Sequence, residues 1–118
     1  MDFDAGVPIW SQLLDRFQRR IVSGDWTPGS QVPTVRDLAA DFGVNPNTVQ
    51  KALAELERTG LAETRRGLGR FVTADLSAIG RVGRELASET TNNFVSTMKS
   101  LGLGKTETVE LVEKIWEP

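Results

Sequence analysis

The sequence predicts a mainly α-helical fold with one small β-hairpin, followed by a C-terminal extension of two helices. Apolar residues recur at helical spacing along most of the chain, as they do in amphipathic helices. Gly, Pro and Asn stand where these segments meet, and these residues are typical of helix ends. Two short runs typical of β-strands flank Gly67 and Gly69, and together they predict a hairpin.

The first predicted helix covers residues 8–22. Its apolar residues recur every four positions from Ile9 to Ile21, so they lie on one face of the helix. Pro8 suits the first turn, because the N–H that proline lacks has no partner there. A turn is expected over residues 27–30, where Pro presets one backbone angle and Gly supplies the next.

A pair of short helices comes next, joined by a tight turn. The first is predicted over residues 35–42, capped by Thr34 and ended by Gly43. The second begins at Pro46, with Asn45 as its cap. Each helix therefore has a polar residue placed to accept the free N–H groups at its start.

A β-hairpin follows this pair, with strands predicted over residues 62–66 and 70–73. The order helix, turn, helix, hairpin is that of a winged helix-turn-helix. Such a fold places the second helix of the pair in the major groove of DNA and the hairpin, or wing, beside it. The sequence therefore predicts duplex DNA as a partner.

We interpret residues 1–75 as a winged helix-turn-helix DNA-binding domain and residues 76–118 as a helical dimerisation tail. Gly80 and Gly83 lie inside the first helix of the tail, and each weakens it by about 0.5–1 kcal/mol relative to Ala. They mark either a close helix crossing or a bend, and the sequence does not choose between these.

The tail is expected to pair with a second copy of the chain. Its two helices, predicted over residues 76–101 and 106–116, bury little core alone, so a homodimer is the economical arrangement. The alternative is that the apolar stripe of the tail folds back on its own DNA-binding domain. The candidate interface residues are Leu86, Phe94, Met98, Leu101, Val112 and Trp116.

Composition excludes several classes of function. The chain has no Cys and no His, so thiol or His-based catalysis, disulfides and Cys/His zinc sites are absent. We expect no enzymatic activity, no cofactor and no metal site. No apolar run approaches the roughly 20 residues of a membrane span. The acidic N-terminus also lacks the pattern of a signal peptide, so we expect a cytoplasmic protein without a membrane partner.

The net charge of −2 does not by itself indicate binding to nucleic acid. The charge is uneven, however, because residues 58–70 carry four arginines and one glutamate, a local balance of +3. Affinity for phosphate depends on the charge that faces DNA rather than on the total.

Three stretches resemble the GntR family of bacterial transcription regulators: PIWSQLLDRFQRRIVSGDWTPGSQVPTVRDLA, FGVNPNTVQKALAELERTGL and RRGLGRFV. Together they span residues 8–72, in the family's order and spacing. The segment NPNTVQKAL and the short tail resemble the YtrA-like branch, in which a small two-helix unit replaces a large ligand-binding domain. The resemblance implies a homodimeric regulator, most often a repressor, that binds a palindromic operator.

The chain departs from the family pattern at four positions. Trp10 stands where Tyr is common, Thr34 where Ser is common, and Arg70 where Thr often follows the wing glycine. Pro46 occupies a position where other branches have a DNA-contacting Arg. Operator rules from those branches therefore do not transfer to this chain.

Arg36 lies early in the first helix of the pair, where helix-end N–H groups and a guanidinium both favour phosphate. The resemblance implies that it contacts a guanine edge instead. The alternative without DNA is a surface salt bridge with Asp37 or Asp41.

The start of the second helix supplies the expected base contacts. Asn45, Asn47 and Thr48 begin this recognition helix, although Asn45 also serves as its cap. Gln50 is expected to read a base and Lys51 to contact phosphate, and an ordinary solvated face is the alternative for both.

Arg65 and Arg66 flank the wing tip, where Gly67 and Gly69 let the backbone approach a minor groove about 6 Å wide. Arginines there gain from the negative potential of the groove. The alternative is a solvated type I′-like turn. The candidate DNA-binding residues are Thr34, Arg36, Asn45, Asn47, Thr48, Gln50, Lys51, Arg65, Arg66, Gly67 and Gly69.

Two functions compete at this point. The first is a sequence-specific, homodimeric transcription regulator that binds duplex DNA. The second is a winged-helix module that binds protein and leaves the wing arginines unexplained. A small-molecule effector of unknown identity is an open question for the first, since the tail is too short for the large effector domains of other GntR branches.

Overall fold

The computed structural model describes residues 2–117, which form five helices and one two-stranded antiparallel sheet. The helices are α1 (Ile9–Val22), α2 (Val35–Phe42), α3 (Pro46–Arg58), α4 (Leu76–Ser100) and α5 (Lys105–Trp116). The strands are β1 (Ala62–Arg65) and β2 (Gly69–Val72). The predicted fold class is confirmed, and the predicted bounds agree with the observed ones to within one residue.

The core forms where α1 packs against α2 and α3. Phe17 of α1 is completely buried, and its ring stacks on Trp26 with centroids 5.4 Å apart. The ring of Phe42, from α2, meets Phe17 edge-on at 5.8 Å. The other large, fully buried side chains come from α1, α2, α3, β2 and the position just before β1: Leu13, Ile21, Leu38, Val49, Leu53, Leu56, Leu61 and Val72.

The hairpin has the register Ala62↔Val72 to Arg65↔Gly69. The chain before α2 runs along the outer side of β2, because the N–H of Val32 donates to the Arg70 carbonyl at 2.8 Å. The N–H of Val72 likewise donates to the Ser30 carbonyl at 2.8 Å. Backbone bonds on both sides of β2 therefore hold the wing against the segment that leads into α2.

The chain divides into two compact units, one ending at Gly83 and the other beginning at Arg84. The first unit includes the first two turns of α4. A Cβ at Gly83 would lie 3.1 Å from Cγ1 of Val22, so this glycine marks a close crossing of α4 with α1. The division expected at residue 75 stays a prediction.

The second unit contains the rest of α4 and α5. None of its described residues is buried, and Ile115 and Trp116 are 80% and 78% exposed. Among residues 2–117 no helix is both long and apolar enough to cross a membrane.

Replacing Phe17 with Ala should lower the free energy of unfolding by about 3–5 kcal/mol, because it leaves a cavity between Trp26 and Phe42. Ile9→Ala is the matched control, since Ile9 lies on the same helix but is 42% exposed. Urea unfolding followed by circular dichroism measures both variants. Equal losses in the two would mean that the aromatic cluster is not the centre of the core.

Candidate nucleic-acid interface

The recognition helix α3 starts with a polar, exposed turn. The Asn45 side chain accepts a hydrogen bond from the N–H of Asn47 at 2.8 Å, so the predicted cap is confirmed. Asn45 and Asn47 are exposed and Thr48 is half-buried. Because Oδ1 of Asn45 accepts the cap bond, the side chain is held in place and its amino group Nδ2 is free to donate to an outside acceptor.

The start of α2 presents a second polar end. The hydroxyl of Thr34 accepts from the N–H of Asp37 at 3.1 Å, which confirms Thr34 as the cap. Arg36 is exposed and, among residues 2–117, forms no ion pair with Asp37 or Asp41. The salt bridge considered as its alternative is therefore not formed, and the guanidinium is available to an outside anion.

The wing tip is a tight turn closed by the N–H of Leu68, which donates to the Arg65 carbonyl at 2.9 Å. Gly67 has φ +76°, whereas Arg66 has a negative φ, a combination found in type II turns. A type I′ turn needs positive φ at both positions, so that part of the alternative interpretation is wrong. The Arg66 side chain is exposed and has no hydrogen bond or ion pair within the described residues.

Arg65, the other tip arginine, is already engaged. Its Nε and Nη2 donate to Oε1 of Glu63 at 3.2 and 3.1 Å, and its guanidinium lies 4.2 Å from the centroid of the Phe71 ring. An exposed ion pair of this kind contributes only about 0–1 kcal/mol, so phosphate can replace it. Within the wing, Arg66 is the arginine without such a competitor.

Lys51 also has a neighbour that the sequence did not indicate. Its ammonium lies 4.7 Å from the centroid of the Trp10 ring, a cation–π contact between α3 and α1. Lys51 remains exposed, so a role in phosphate binding stays a prediction.

A side-chain network joins α3 to the wing. The Nε of Arg70 donates to Oε1 of Glu57 at 2.8 Å, and the Thr64 hydroxyl donates to the same oxygen. Arg70 also lies opposite Thr64 in the strand register, and its Nη1 is 3.5 Å from Oε1 of Gln50. The sequence marks Arg70 only as a departure from the pattern that the chain resembles, and it does not indicate these partners.

The ionisation of Glu57 reflects this network. Partial burial raises the pKa of its carboxyl, but the hydrogen bonds from Thr64 and Arg70 and the charge of Arg70 outweigh burial. The pKa of Glu57 is therefore lowered from its ordinary value, and the carboxylate stays charged at neutral pH.

Gln31 is a second residue that the sequence interpretation missed. Its Nε2 donates to the Leu68 carbonyl at 3.1 Å, which ties the wing tip to the segment before α2. A Cβ at Gly69 would lie 2.7 Å from that Nε2, and Gly69 has φ +118°. The positive φ therefore favours glycine at position 69 independently of any approach to DNA, whereas the exposed Gln31 side chain could move aside for a Cβ.

One cleft brings these parts together. It has a volume of about 280 Å³ and is lined by the start of α2, the exposed side of α3 and the wing, including Thr34, Gln50, Thr64, Gly69 and Arg70. Of the predicted site residues, the cleft therefore unites Thr34, Gln50 and Gly69. The others named above lie on the same three elements, at their ends or exposed sides.

A capped recognition helix, a capped helix before it and a glycine-rich wing around one cleft define the winged helix-turn-helix class of DNA-binding proteins. Residues 10–72 match the sequence model of the GntR family, which is described as "Bacterial regulatory proteins, gntR family". The chain belongs to this family, as its sequence motifs predicted.

Two curated relatives are similar over different lengths. The chain is 37% identical to the HTH-type transcriptional regulator YhcF of Bacillus subtilis, over 98% of this chain and 95% of the relative. It is 40% identical to the HTH-type transcriptional repressor YtrA of the same organism, over 62% of this chain and 56% of the relative. The similarity to YtrA agrees with the branch that the sequence indicated.

Two solved structures are similar as well. A GntR family transcriptional regulator from Listeria monocytogenes superposes with a TM-score of 0.86 and 38% identity, covering 95% of this chain and 98% of the other. The AraR DNA-binding domain in complex with operator ORX1 superposes with a TM-score of 0.54 and 31% identity, covering 57% of this chain and 81% of the other.

Stability should fall in acid through Glu57. Because its pKa is lowered on folding, its contribution is fully present above the pKa of an unfolded glutamate, about 4.3, and is lost as the pH falls through the folded value. Glu57→Gln should therefore flatten the acid side of the stability curve, as measured by urea unfolding between pH 2 and 7. The control is Asp15→Asn, which removes the exposed partner of Arg19. If Asp15→Asn flattened the curve as much as Glu57→Gln, the hydrogen bonds of Glu57 would have no specific effect on stability in acid.

Proposed function

We propose that the protein is a sequence-specific DNA-binding transcription regulator that binds a palindromic operator as a homodimer. In each copy α3 enters the major groove and the wing enters the minor groove. The single observation that carries this proposal is the position of Arg36 and Arg66. Both guanidiniums lie unpaired within the described residues, on the two elements that flank the recognition helix.

The similarities to known proteins support the same function. YtrA is named a transcriptional repressor, and the AraR domain is seen with operator DNA. We extend DNA binding to this chain, and repression as the direction of its effect. The protein acts in this proposal in the cytoplasm, where bacterial DNA lies, and without catalysis.

The homodimer is supported by the tail. The unit that begins at Arg84 buries no described side chain, although it exposes a large apolar area. Two helices of this length gain stability only by covering that area, and a second copy covers it symmetrically. Of the predicted interface residues, Leu86 and Met98 are half-buried and the others are exposed: Phe94, Leu101, Val112 and Trp116.

The exposed apolar set is wider than the sequence interpretation proposed. Val95 and Leu111 are 37% and 42% exposed, and neither was among the candidate interface residues. Val109 and Ile115, on the same helix as Leu111, are exposed too. We include these four in the proposed interface.

Regulation in this proposal acts on the spacing of the two DNA-binding domains. A palindromic site requires recognition helices about 34–36 Å apart, one turn of DNA. An effector of unknown identity controls binding if its affinity differs between two spacings, since equal affinity shifts no population.

Selection of bound sites from random duplex DNA, at fixed near-physiological salt, tests the function. We expect an enriched palindrome with half-sites about one helical turn apart. An unenriched pool would contradict sequence-specific binding and favour the protein-binding module.

In the same selection, Phe94→Asp should enrich a single half-site without the palindrome, because the new carboxylate lies in the proposed interface. Phe94 is 39% exposed in the single chain, so the substitution leaves the core untouched. Asn92→Asp adds the same charge two residues away on α4 and is the control. A palindrome retained by Phe94→Asp would argue against a dimer through this surface.

Arg66→Ala should weaken binding to all DNA sequences and reduce the slope of log K against log salt by about one unit. Arg65→Ala should act in the same direction but less, because Arg65 gives up Glu63 and Phe71 to reach DNA. Arg19→Ala, on α1, is the control. Fluorescence anisotropy titrations at several salt concentrations measure the slopes, and a slope unchanged by Arg66→Ala would exclude its contact with phosphate.

A further inference from the structure

The contact between Arg70 and Gln50 links the wing to the helix that reads DNA. Gln50 is exposed on α3, and its Oε1 lies 3.5 Å from Nη1 of Arg70. This is a long contact, but one of its partners carries a full charge. The two residues are 20 positions apart in the chain, and the fold brings them together at the cleft between α3 and the wing.

Arg70 itself is held in place. Its Nε donates to Glu57 at 2.8 Å, and its side chain is only 20% exposed. Glu57 in turn accepts from Thr64 of β1, so its carboxylate is anchored from a second side. The guanidinium is planar and rigid, so fixing its Nε also fixes the direction of its other N–H groups.

A guanidinium determines which end of an amide faces it. Arginine has five N–H donors and no acceptor, so Gln50 must turn its oxygen, rather than its amino group, toward Arg70. The oxygen and nitrogen of an amide diverge from the same carbon. Holding Oε1 at Arg70 therefore leaves Nε2, with its two N–H donors, directed away from the wing.

This orientation limits what Gln50 can read. Glutamine pairs with adenine through two bonds, accepting from N6 and donating to N7, which requires both amide atoms to face the base. Guanine presents the acceptors N7 and O6 in the major groove, and thymine presents O4. Oε1 keeps a second lone pair beside its bond to Arg70, and adenine also presents N7, so no base is excluded outright. Which base pairs best depends on the direction in which the amide is held, and Arg70 holds it in one of its two orientations.

We propose that Arg70 is a positioning residue that sets the base preference of Gln50. By donating to Oε1 it holds the amide in one orientation, which narrows the base preference of Gln50 at one position of each half-site. This inference rests on the proposed function, and it adds a specificity rule.

Selection from random duplex DNA tests the proposal with four proteins: wild type, Gln50→Ala, Arg70→Met and the double variant. Gln50→Ala identifies the position that Gln50 reads, because the preference there is lost. At that position the wild type should enrich one base over the other three. Arg70→Met, which keeps length but removes the donors, frees the amide to turn, so it should lower the enrichment of that base about tenfold and leave the other positions unchanged.

The double variant separates positioning from a direct contact of Arg70 with DNA. If Arg70 acts through Gln50, then Arg70→Met should change no base preference once Gln50 is Ala. Arg70→Lys is a second single variant that keeps the charge beside Glu57 but lacks the rigid fork, and it should lower the enrichment of the wild-type base as Arg70→Met does. Thermal unfolding checks that each variant is folded. If Arg70→Met does not fold, the comparison is made with Arg70→Lys alone.

The outcomes distinguish a failure of the proposed function from a failure of the inference about Arg70. A wild-type pool without any enriched sequence overturns the proposed function and this inference with it. An enriched operator overturns only the inference if neither Arg70 variant alters the Gln50 position, or if Arg70→Met changes base preference equally without Gln50.

Discussion

The packing of α1 against α2 and α3 is the constraint on which the rest of the structure depends. Phe17, at its centre, is in contact with aromatic rings from the turn after α1 and from α2. The recognition helix must bury Val49, Leu53 and Leu56 in this core, and only one side of a helix can do so. Its opposite side is therefore left to polar residues, which makes the orientation of the DNA-reading surface a consequence of core packing.

Local signals in the sequence predicted the elements of the fold well. Thr34 and Asn45 accept the backbone N–H groups expected of caps, because capping involves residues two or three positions apart. The hairpin was predictable for the same reason, since the glycines at its turn lie within a few residues of both strands. Periodicity placed both tail helices, where apolar residues recur at regular spacing.

Contacts between distant residues could not be predicted in this way. Arg70 reaches Glu57 across 13 positions and Gln50 across 20, and Gln31 reaches Leu68 across 37. No pattern in the sequence specifies which side chains meet across such distances, because that depends on how the elements pack. The sequence therefore indicated candidate residues for the DNA-binding surface, but not that Arg65 and Lys51 have protein neighbours of their own.

The close approach of Gln31 to Gly69 has a consequence for how such sequences diverge. Position 69 is constrained by its backbone conformation, which side chains rarely adopt, while the amide 2.7 Å from where a Cβ would stand can move aside. The side chain at position 31 forms one hydrogen bond between exposed groups, and its backbone pairs with Phe71 whatever the side chain is. The coupling between the two is thus asymmetric: a shorter residue at position 31 is tolerated beside Gly69, whereas no change at position 31 makes position 69 accept a side chain. We therefore expect substitutions to be tolerated at position 31 and to be costly at position 69.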